Sequence, residues 1–227
     1  MPRIYKLSRT GLKLIYKIRH HRGHGVHSPF VFNLINKVIE EKMSYYAYSD
    51  IAAYLNSFPD IAYKSKKFNR LSFRLVNYFN TKTIMEIGSG RGFNTLYLTI
   101  PSSKIECICI EPDPAKRIIA QKLYNDFGRK IELYDDIPLN INRKIDCLFI
   151  NLKEDGHIFD KNINYLLNLL HEKSFIVVEG IRLNKNYKKV WERVAAIEGR
   201  TAVLDLFNVG MVFFDKKLYR WSYKISY

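Results

Sequence analysis

The sequence is poor in cysteine and has no long apolar segment. Its three cysteines, Cys107, Cys109 and Cys147, lie within apolar runs, and no pair has the C-x-x-C spacing of a zinc or redox site. This pattern predicts buried free thiols in a reducing compartment. No stretch reaches the length of a membrane span, and the N-terminus lacks the apolar segment of a signal peptide. We therefore expect a cytoplasmic protein without a membrane span.

Acidic residues are absent from the first 39 positions, which contain eight Lys and Arg, whereas the whole chain of 227 residues has a net charge of +15. A basic N-terminus raises nucleic acid or an anionic membrane surface as partners, and a solvated basic surface is the alternative. The basic residues recur at helical spacing, on another side from an apolar stripe. This predicts a short basic amphipathic helix, which either packs against the domain or lies on a membrane. The basic series is Lys6, Arg9, Lys13 and Lys17, and the stripe is Ile4, Leu7, Leu14, Ile15 and Ile18.

Four of the six histidines follow this helix, without a cysteine or an early acid that would complete a zinc site. The stretch after them favours a shaped loop and then a helix, with Ser28 as the N-cap and Pro29 at its first position. Loops that enter a domain can cover a pocket, so His24 and His27 are candidate groups on the substrate side. The four histidines are His20, His21, His24 and His27.

Residues 82–99 are the most informative stretch of the chain. The apolar run 84–87 precedes Gly88, Gly90 and Gly92, and an apolar-periodic segment begins at Phe93. This order predicts a buried strand, a glycine-rich turn and a helix start. Glycine lets the backbone approach a ligand closely, and the start of a helix presents unpaired N–H groups. The stretch therefore predicts a nucleotide-type pocket, with a tight turn that binds no ligand as the alternative.

The glycine spacing differs from that of a dinucleotide fingerprint. G-x-G-x-x-G would require glycine where the chain has Phe93, and the actual pattern is E-x-G-x-G-x-G with Glu86 at its start. Glu111 ends the next strand, 21 residues after Gly90. A carboxylate at that place can accept hydrogen bonds from ribose hydroxyls.

Strands and helices continue to alternate, which predicts a parallel sheet covered on both faces, with ligands at the carboxyl ends of its strands. Strands are expected at 105–110, 131–134, 145–150 and 175–178, with helices near 159–171 and 185–198. Two strand-like runs then meet at 208–210 and can pair antiparallel, and the alternating segment 219–226 predicts an edge strand. The polar residues expected at the carboxyl edge, besides Gly88, are Glu111, Asp136, Asn151 and Glu179.

The EIGSGRG motif, taken with Glu111, resembles the first motif of class I S-adenosylmethionine (SAM) dependent methyltransferases. Within that class the chain looks like the catechol O-methyltransferase-like branch, and more narrowly like a bacterial group with HGVHSPFVF and DLF-x-x-G-x-VFF, here residues 24–32 and 205–214. The resemblance implies a Rossmann-like α/β fold with a mostly parallel seven-stranded sheet and a C-terminal antiparallel hairpin. Because no Gly/Ser linker appears, we expect one domain with an N-terminal helical layer, in which residues 1–80 are a basic helical extension and residues 81–227 the SAM-binding part.

The same resemblance implies roles for individual residues. Gly88, Gly90 and Asn94 would line the methionine end of SAM, Glu111 would bind the ribose and Asp136 the adenine. Glu86, Gly92 and Asn151 complete the expected cofactor-binding set.

The chain departs from this family where metal-dependent members hold magnesium or calcium. Only Asn151 and Glu179 remain as oxygen ligands, and Arg182 stands where relatives tend to have His. Because a hard cation requires several oxygens, we expect no metal. A hydroxyl acceptor then needs a base from the loop expected after the fourth strand. The candidate catalytic residues there are Lys153, Glu154 and His157, with solvated loop charges as the alternative.

The leading hypothesis is therefore a SAM-dependent methyltransferase acting on a hydroxyl of a small or medium acceptor. An RNA-directed methyltransferase is the second, because of the basic N-terminus and the tyrosines of residues 44–63. A catalytically decayed SAM-binding or scaffold protein is the third. The loop has no N-P-P-Y or D-P-P-Y run, which disfavours amino methylation by that route, and a homodimer is left open.

Overall fold

The computed structural model describes residues 3–20, 27–59, 61 and 63–227, without the side chains of 3–8, 155–157 and 160. Its helices are α1 (Arg3–Arg19), α2 (Pro29–Leu34), which continues as a π-helix (Ile35–Ile39), α3 (Tyr46–Asn56), α4 (Lys67–Phe79), α5 (Phe93–Thr99), α6 (Pro114–Phe127), α7 (Leu152–Leu169) and α8 (Lys185–Val194). Its strands are β1 (Thr83–Ile87), β2 (Glu106–Ile110), β3 (Lys130–Tyr134), β4 (Ile145–Asn151), β5 (Leu170–Glu179), β6 (Ala202–Asp205), β7 (Val209–Phe213) and β8 (Trp221–Lys224).

The strands form one sheet in the order β3-β2-β1-β4-β5-β7-β6-β8. The first five are parallel, β7 pairs antiparallel with β5 and β6, and β8 lies parallel to β6. The expected parallel core with a C-terminal hairpin is confirmed. The sheet has eight strands rather than seven, because β8 adds to the outer side of the hairpin.

Apolar residues of the strands alternate between the two faces of the sheet. Ile84 belongs to a core shared with α2 to α6, whereas Met85 and Ile87 belong to a second core shared with α7 and α8. The buried residues of α2, α3 and α4 thus pack in the same cluster as those of β1. The division of the chain at residue 80 stays a prediction.

The start of α2 is fixed by the expected capping residue. Ser28 accepts a hydrogen bond from the Val31 N–H, with Pro29 at the first position of α2. The sequence prediction for this helix is confirmed, and its residues Val31, Leu34, Ile35, Val38 and Ile39 are buried as one apolar face.

Helix α1 forms as predicted, but the prediction that its apolar stripe packs against the domain is wrong for the side chains that the structure describes. Leu14, Ile15 and Ile18 are 62%, 51% and 73% exposed. Tyr16 is the buried residue, and its hydroxyl donates to the Asp205 carbonyl at 2.5 Å and to Asp205 Oδ1 at 3.0 Å. A polar anchor therefore decides which face of α1 turns inward.

Three boundaries and one side-chain exposure differ from the sequence predictions. Strand β5 begins at Leu170 rather than at residue 175. Helix α7 begins at Leu152 rather than near residue 159, so the expected loop after β4 is helical. The hairpin turn lies at 206–208, since β7 already begins at Val209, and Phe207 takes a left-handed φ of 68° there. On the edge strand, Trp221 is exposed although the alternation places it on the apolar side of the strand together with Tyr223 and Ile225.

Candidate functional site

The glycine turn joins β1 to α5 at the carboxyl edge of the sheet. Gly88, Gly90 and Gly92 have φ angles of 76°, 61° and 83°, a region that side chains with a Cβ rarely adopt. The Gly88 and Ser89 N–H groups both donate to the Ile110 carbonyl, at 2.9 and 3.2 Å. These bonds hold the turn against the end of β2, where Glu111 begins the next loop.

Tyr124 of α6 is the reason that Gly92 must be glycine. A Cβ placed on Gly92 would lie 2.7 Å from the Tyr124 hydroxyl and from its ring. That hydroxyl lies 2.7 Å from Thr95 Oγ1 in the first turn of α5. The Tyr124 side chain thus packs against the turn on the side of α6, and nothing in the sequence pattern singled it out.

Glu111 is fully buried and binds the turn directly. Its Oε2 accepts a hydrogen bond from the Gly90 N–H at 2.6 Å, and its Oε1 accepts one from the Asp113 N–H at 3.1 Å. The Lys116 ammonium lies 3.9 Å from Oε1. Each carboxylate oxygen can accept a second hydrogen bond, but a ligand hydroxyl reaches Glu111 only if the groups that cover it move, since none of its surface is exposed.

Glu86 occupies the end of β1 beneath the turn. Its two oxygens accept hydrogen bonds from Asn94 Nδ2 at 2.8 Å and from Thr95 Oγ1 at 2.5 Å. Burial raises the pKa of Glu86 to about 7, against the lowering effect of these two hydrogen bonds. Glu86 therefore positions Asn94 rather than facing the space in front of the turn.

Two buried polar atoms at the turn have no hydrogen-bond partner within the described part of the chain. They are Ser89 Oγ and Asn94 Oδ1. A buried oxygen without a partner costs roughly 1–3 kcal/mol, and a water or a ligand at the turn would complete the bonding of these two atoms. Asn94 was predicted from sequence, whereas Ser89 was not.

An ion pair crosses the ligand-facing side of the turn. Lys116 Nζ lies 2.6 Å from Glu154 Oε2 and 3.6 Å from Asp113 Oδ2. The Glu154 carboxyl carbon would be 3.7 Å from a Cβ placed on Gly90. The hydrogen bond to Glu154 raises the pKa of Lys116, against the opposing effect of desolvation. Glu154 therefore sits close to the turn as the partner of Lys116, rather than free in a loop.

A second polar group lies at the ends of β4 and β5. Asn151 is paired in register with Glu179, and its side chain accepts from the Lys153 N–H at 3.1 Å, which caps α7. Lys153 Nζ donates to Glu179 Oε1 at 3.0 Å. The Lys153 side chain is thus held by a carboxylate, and Asn151 Oδ1 and Glu179 Oε1 each have a partner within the protein.

The remaining predicted residues are not brought into these contacts. Asp136 is exposed, and its Oδ1 accepts from the Ile137 N–H at 2.8 Å. His27 is exposed as well. His24 lies outside the described residues, and so does the side chain of His157, whose backbone belongs to the start of α7.

Arg182 follows β5 and forms a bidentate pair with Asp205. Its Nη1 and Nη2 atoms lie 2.6 and 2.5 Å from the two Asp205 oxygens, and Nη1 also donates to the Phe207 carbonyl at 3.1 Å. In the sequence, Arg182 stands out only as a departure at a metal position. The structure gives it a partner 23 residues away, at the same edge as Tyr16.

Cys107 and Cys109 are buried free thiols beside Glu86, as predicted, and Cys147 is buried and free as well. The Cys107 and Cys109 sulfurs lie 3.7 Å apart. Their mutual hydrogen bond, together with burial, raises the pKa of Cys107 well above its usual value. Because the thiolate is the form that binds metals, this cluster does not indicate a metal site.

No protein-family model matches the chain, and no curated protein matches it in sequence. Solved structures do match its fold. Rv0187 from MTB, solved with bound cofactor, has a TM-score of 0.58 and 17% identity, covering 84% of this chain and 98% of that one. The SAH-bound methyltransferase PaMTH1 from Podospora anserina has a TM-score of 0.57 and 14% identity, covering 76% and 89%. A putative caffeoyl-CoA O-methyltransferase from Staphylococcus aureus has a TM-score of 0.57 and 16% identity, covering 79% and 96%.

At these identities the similarity shows the fold, which is that of Rossmann-like methyltransferases. Within the described ranges, no helix combines the length and apolar composition that a bilayer crossing requires.

Proposed function

We propose that the protein is a SAM-dependent methyltransferase that transfers the methyl group to a hydroxyl of a small or medium acceptor. The observation that carries the proposal is the positive-φ glycine turn, held by buried Glu111 and lined by two unpartnered oxygens. The fold is that of structures solved with SAH bound, such as PaMTH1 and the O-methyltransferase from Bacillus cereus, which has a TM-score of 0.56 at 15% identity and covers 81% of this chain and 97% of that one. The narrower bacterial group rests on residues 24–32 and 205–214 alone.

The residues at the turn fit the chemistry of this cofactor. Asn94 Oδ1 would accept a hydrogen bond from the amino group of the methionine part, and Ser89 Oγ would bond its polar atoms. Glu111 retains acceptor sites for the ribose hydroxyls. Gly88 and Gly90 keep the backbone open to close approach. We propose that Glu86 and Gly92 act by positioning this set, and that Asp136 and Asn151 border it.

The cofactor supplies a methyl group on a sulfonium, and the protein must align the acceptor hydroxyl and remove its proton. Lys153 and Glu154 are each engaged in an ion pair, with Glu179 and Lys116. Of the three candidate bases, His157 is therefore the one we propose. Asn151 Oδ1 accepts a hydrogen bond from the Lys153 N–H, and Glu179 Oε1 accepts one from Lys153 Nζ. Because these two oxygens are already bonded, we propose a reaction that does not use a metal at Asn151 and Glu179.

The same ion pairs favour the decayed-enzyme hypothesis as a second candidate. Glu154 stands beside Gly90, and the ion pair with Lys116 must open if a ligand is to contact the turn there. A protein that binds SAM and transfers no methyl group to any component of a cell extract would fit this candidate.

The first prediction concerns Glu111→Gln. SAM should bind the parent protein with a dissociation constant in the micromolar range, roughly 8 kcal/mol, and the variant about tenfold or more weakly, because a charge-assisted bond to the ribose becomes neutral. Isothermal titration calorimetry measures both, with NAD as a ligand that should not bind.

Glu172→Gln is the matched control, since Glu172 is an exposed residue of β5 away from the turn. It should bind SAM as the parent does. If the parent binds no SAM, the turn is only structural. If it binds SAM, a cell extract is incubated with labelled SAM and either the parent or the His157→Ala variant. Label transferred by the parent and not by the variant supports the enzyme, and no transfer by the parent supports the decayed form.

A further inference from the structure

A cavity of about 820 Å³ lies apart from the glycine turn, between α1, the π-helix, α4 and the end of the chain. Its lining includes Lys67 at the start of α4, Phe207 in the hairpin turn and Tyr227 after β8. These places all lie at the carboxyl edge of the parallel strands. The volume is within the range of small-molecule pockets, about 300–1,000 Å³.

The cavity is strongly basic. Six Lys and Arg side chains line it, against the two acids Glu40 and Glu41. Among the described residues, none of the six forms an ion pair within 4 Å of a carboxylate. Desolvation, followed by the charges of Lys13 and Arg74, lowers the pKa of Lys67 below its usual value. The positive charges are thus close enough to repel one another. The six are Lys13, Lys17, Lys42, Lys67, Arg70 and Arg74.

Arg74 is the buried member of this group, and hydrogen bonds hold its side chain in place. It is only 7% exposed, and its Nε donates to the Val38 carbonyl at 2.6 Å while Nη2 lies 3.5 Å from the Ile39 carbonyl. Buried charges in proteins are normally paired, because desolvation of an isolated ion is costly. Among the described residues, no carboxylate lies within 4 Å of the Arg74 guanidinium, so an anion in the cavity would supply a close counter-charge.

Aromatic rings complete the walls and bring no opposing charge. The Lys67 ammonium lies 3.7 Å from the centre of the Tyr227 ring, and the Tyr227 hydroxyl donates to the Lys67 carbonyl at 2.9 Å. Burial raises the pKa of Tyr227 to about 12 and also raises that of Tyr48, so both phenols stay neutral at ordinary pH. The cavity therefore has ordered walls and a net positive charge.

We propose that this cavity binds a molecule that carries a phosphate group. Arg and Lys side chains are the common ligands of phosphate, and the planar guanidinium matches its oxygens. The charges converge in one cavity rather than along an extended surface, which favours a single anionic group over a nucleic-acid strand. The phosphate could belong to a free molecule or to a lipid headgroup, since Leu14 and Ile18 of the adjoining α1 are exposed. The lining of this cavity shares no residue with the glycine turn, so the proposal does not rest on methyl transfer.

Binding of inorganic pyrophosphate, measured by isothermal titration calorimetry at constant ionic strength, tests the site. The Lys67→Gln/Arg70→Gln double variant should bind about tenfold or more weakly than the parent, because two charge-assisted contacts are lost. Both side chains are exposed, so folding should persist, which circular dichroism verifies. Lys104→Gln/Lys217→Gln removes the same charge from exposed positions that do not line the cavity and should leave the affinity unchanged.

Co-sedimentation with vesicles distinguishes the two sources of phosphate. The vesicles contain equal parts of phosphatidylglycerol and phosphatidylcholine. A lipid headgroup is identified if the parent binds these vesicles, if the Lys67→Gln/Arg70→Gln variant does not, and if pyrophosphate displaces the bound parent. Binding of pyrophosphate alone would identify a free ligand. The proposal is overturned if the parent binds neither, if both double variants weaken binding equally, or if an RNA oligonucleotide displaces pyrophosphate with higher affinity.

Discussion

A single carboxyl group, that of Glu86, links the strand, the turn and the helix at the candidate site. It is 3% exposed, and its oxygens are held by Asn94 and Thr95. The motif E-x-G-x-G-x-G predicted Glu86 as a residue of the cofactor-binding site. Its partner Thr95 carried no signal, because a hydroxyl in an apolar helix is equally typical of a packed side chain.

Glu86→Gln should change how stability depends on pH. Burial raises the Glu86 pKa from 4.5 to about 7, so between those pH values the native state holds a proton that the unfolded state has released. The stability of the parent should therefore fall as pH rises through this window, by on the order of 3 kcal/mol at most, and the variant should lack that fall. Urea unfolding below, within and above the window measures the difference.

Glu172→Gln serves as the control in the same series, because it removes an exposed carboxyl. Its stability should follow that of the parent at every pH. Parallel profiles for the parent and Glu86→Gln would contradict the raised pKa of Glu86.

The local pattern predicted the glycines and the carboxylates that end the strands, since both follow from the β-α alternation. It did not predict what those groups touch. Lys116 bonds to Glu154, which is 38 residues away in the sequence, and Tyr124 bonds to Thr95, which is 29 residues away. Such contacts depend on how α6 packs on the sheet, which no short spacing in the sequence records.

At the scale of elements, the glycine turn is shaped by α6 as much as by its own residues. Gly92 combines a left-handed φ of 83° with a contact to Tyr124 that leaves no room for a methyl group. Gly128, which ends α6, has a φ of 65° and open space around it. A substitution at Gly128 therefore tests backbone strain alone, whereas a substitution at Gly92 tests strain together with steric overlap.

Gly92→Ala should destabilise the protein by about 2–4 kcal/mol, from left-handed strain together with overlap on Tyr124. Gly128→Ala should cost only the strain, about 1–2 kcal/mol. Chemical denaturation of the two variants and the parent measures both values. Equal losses would show that the ring of Tyr124 moves aside freely.

The start of α7 shows where an element boundary can be misjudged. The sequence predicts a loop after the fourth strand and a helix near residues 159–171. The structure instead starts α7 at Leu152, because the Asn151 side chain caps it through the Lys153 N–H. Asn is a preferred N-cap residue, so Asn151 signals a helix start as well as a candidate ligand.

At the scale of the whole molecule, the two ends of the chain meet at the carboxyl edge. Tyr16 of α1 reaches Asp205 across 189 residues, and Asp205 also pairs with Arg182 after β5. The alternation of strands predicted the sheet and its hairpin, because each element is defined by nearby residues. The docking of α1 depends on one hydroxyl and one carboxylate far apart in sequence, so amphipathicity pointed to the wrong face.

Tyr16→Phe tests whether this hydroxyl holds α1 in place. The variant keeps the ring contacts with His20 and Phe207, whose centroids lie 4.7 and 5.3 Å away, and loses both bonds to Asp205. A hydrogen bond to a charged group is worth about 1.5–3 kcal/mol. The amides of α1 should therefore exchange with deuterium about tenfold faster or more, while those of β4 should not change.

Tyr46→Phe is the control, because Tyr46 is 90% exposed and its loss of a hydroxyl should not alter exchange in α1. Unchanged protection of α1 in Tyr16→Phe would mean that Arg9, whose Nη2 donates to Asn208 Oδ1 at 2.7 Å, holds the helix instead. Because Lys13 and Lys17 on α1 line the basic cavity, a loosened helix should also weaken pyrophosphate binding. Tyr16→Phe thus connects the attachment of α1 to the ligand site that it helps to form.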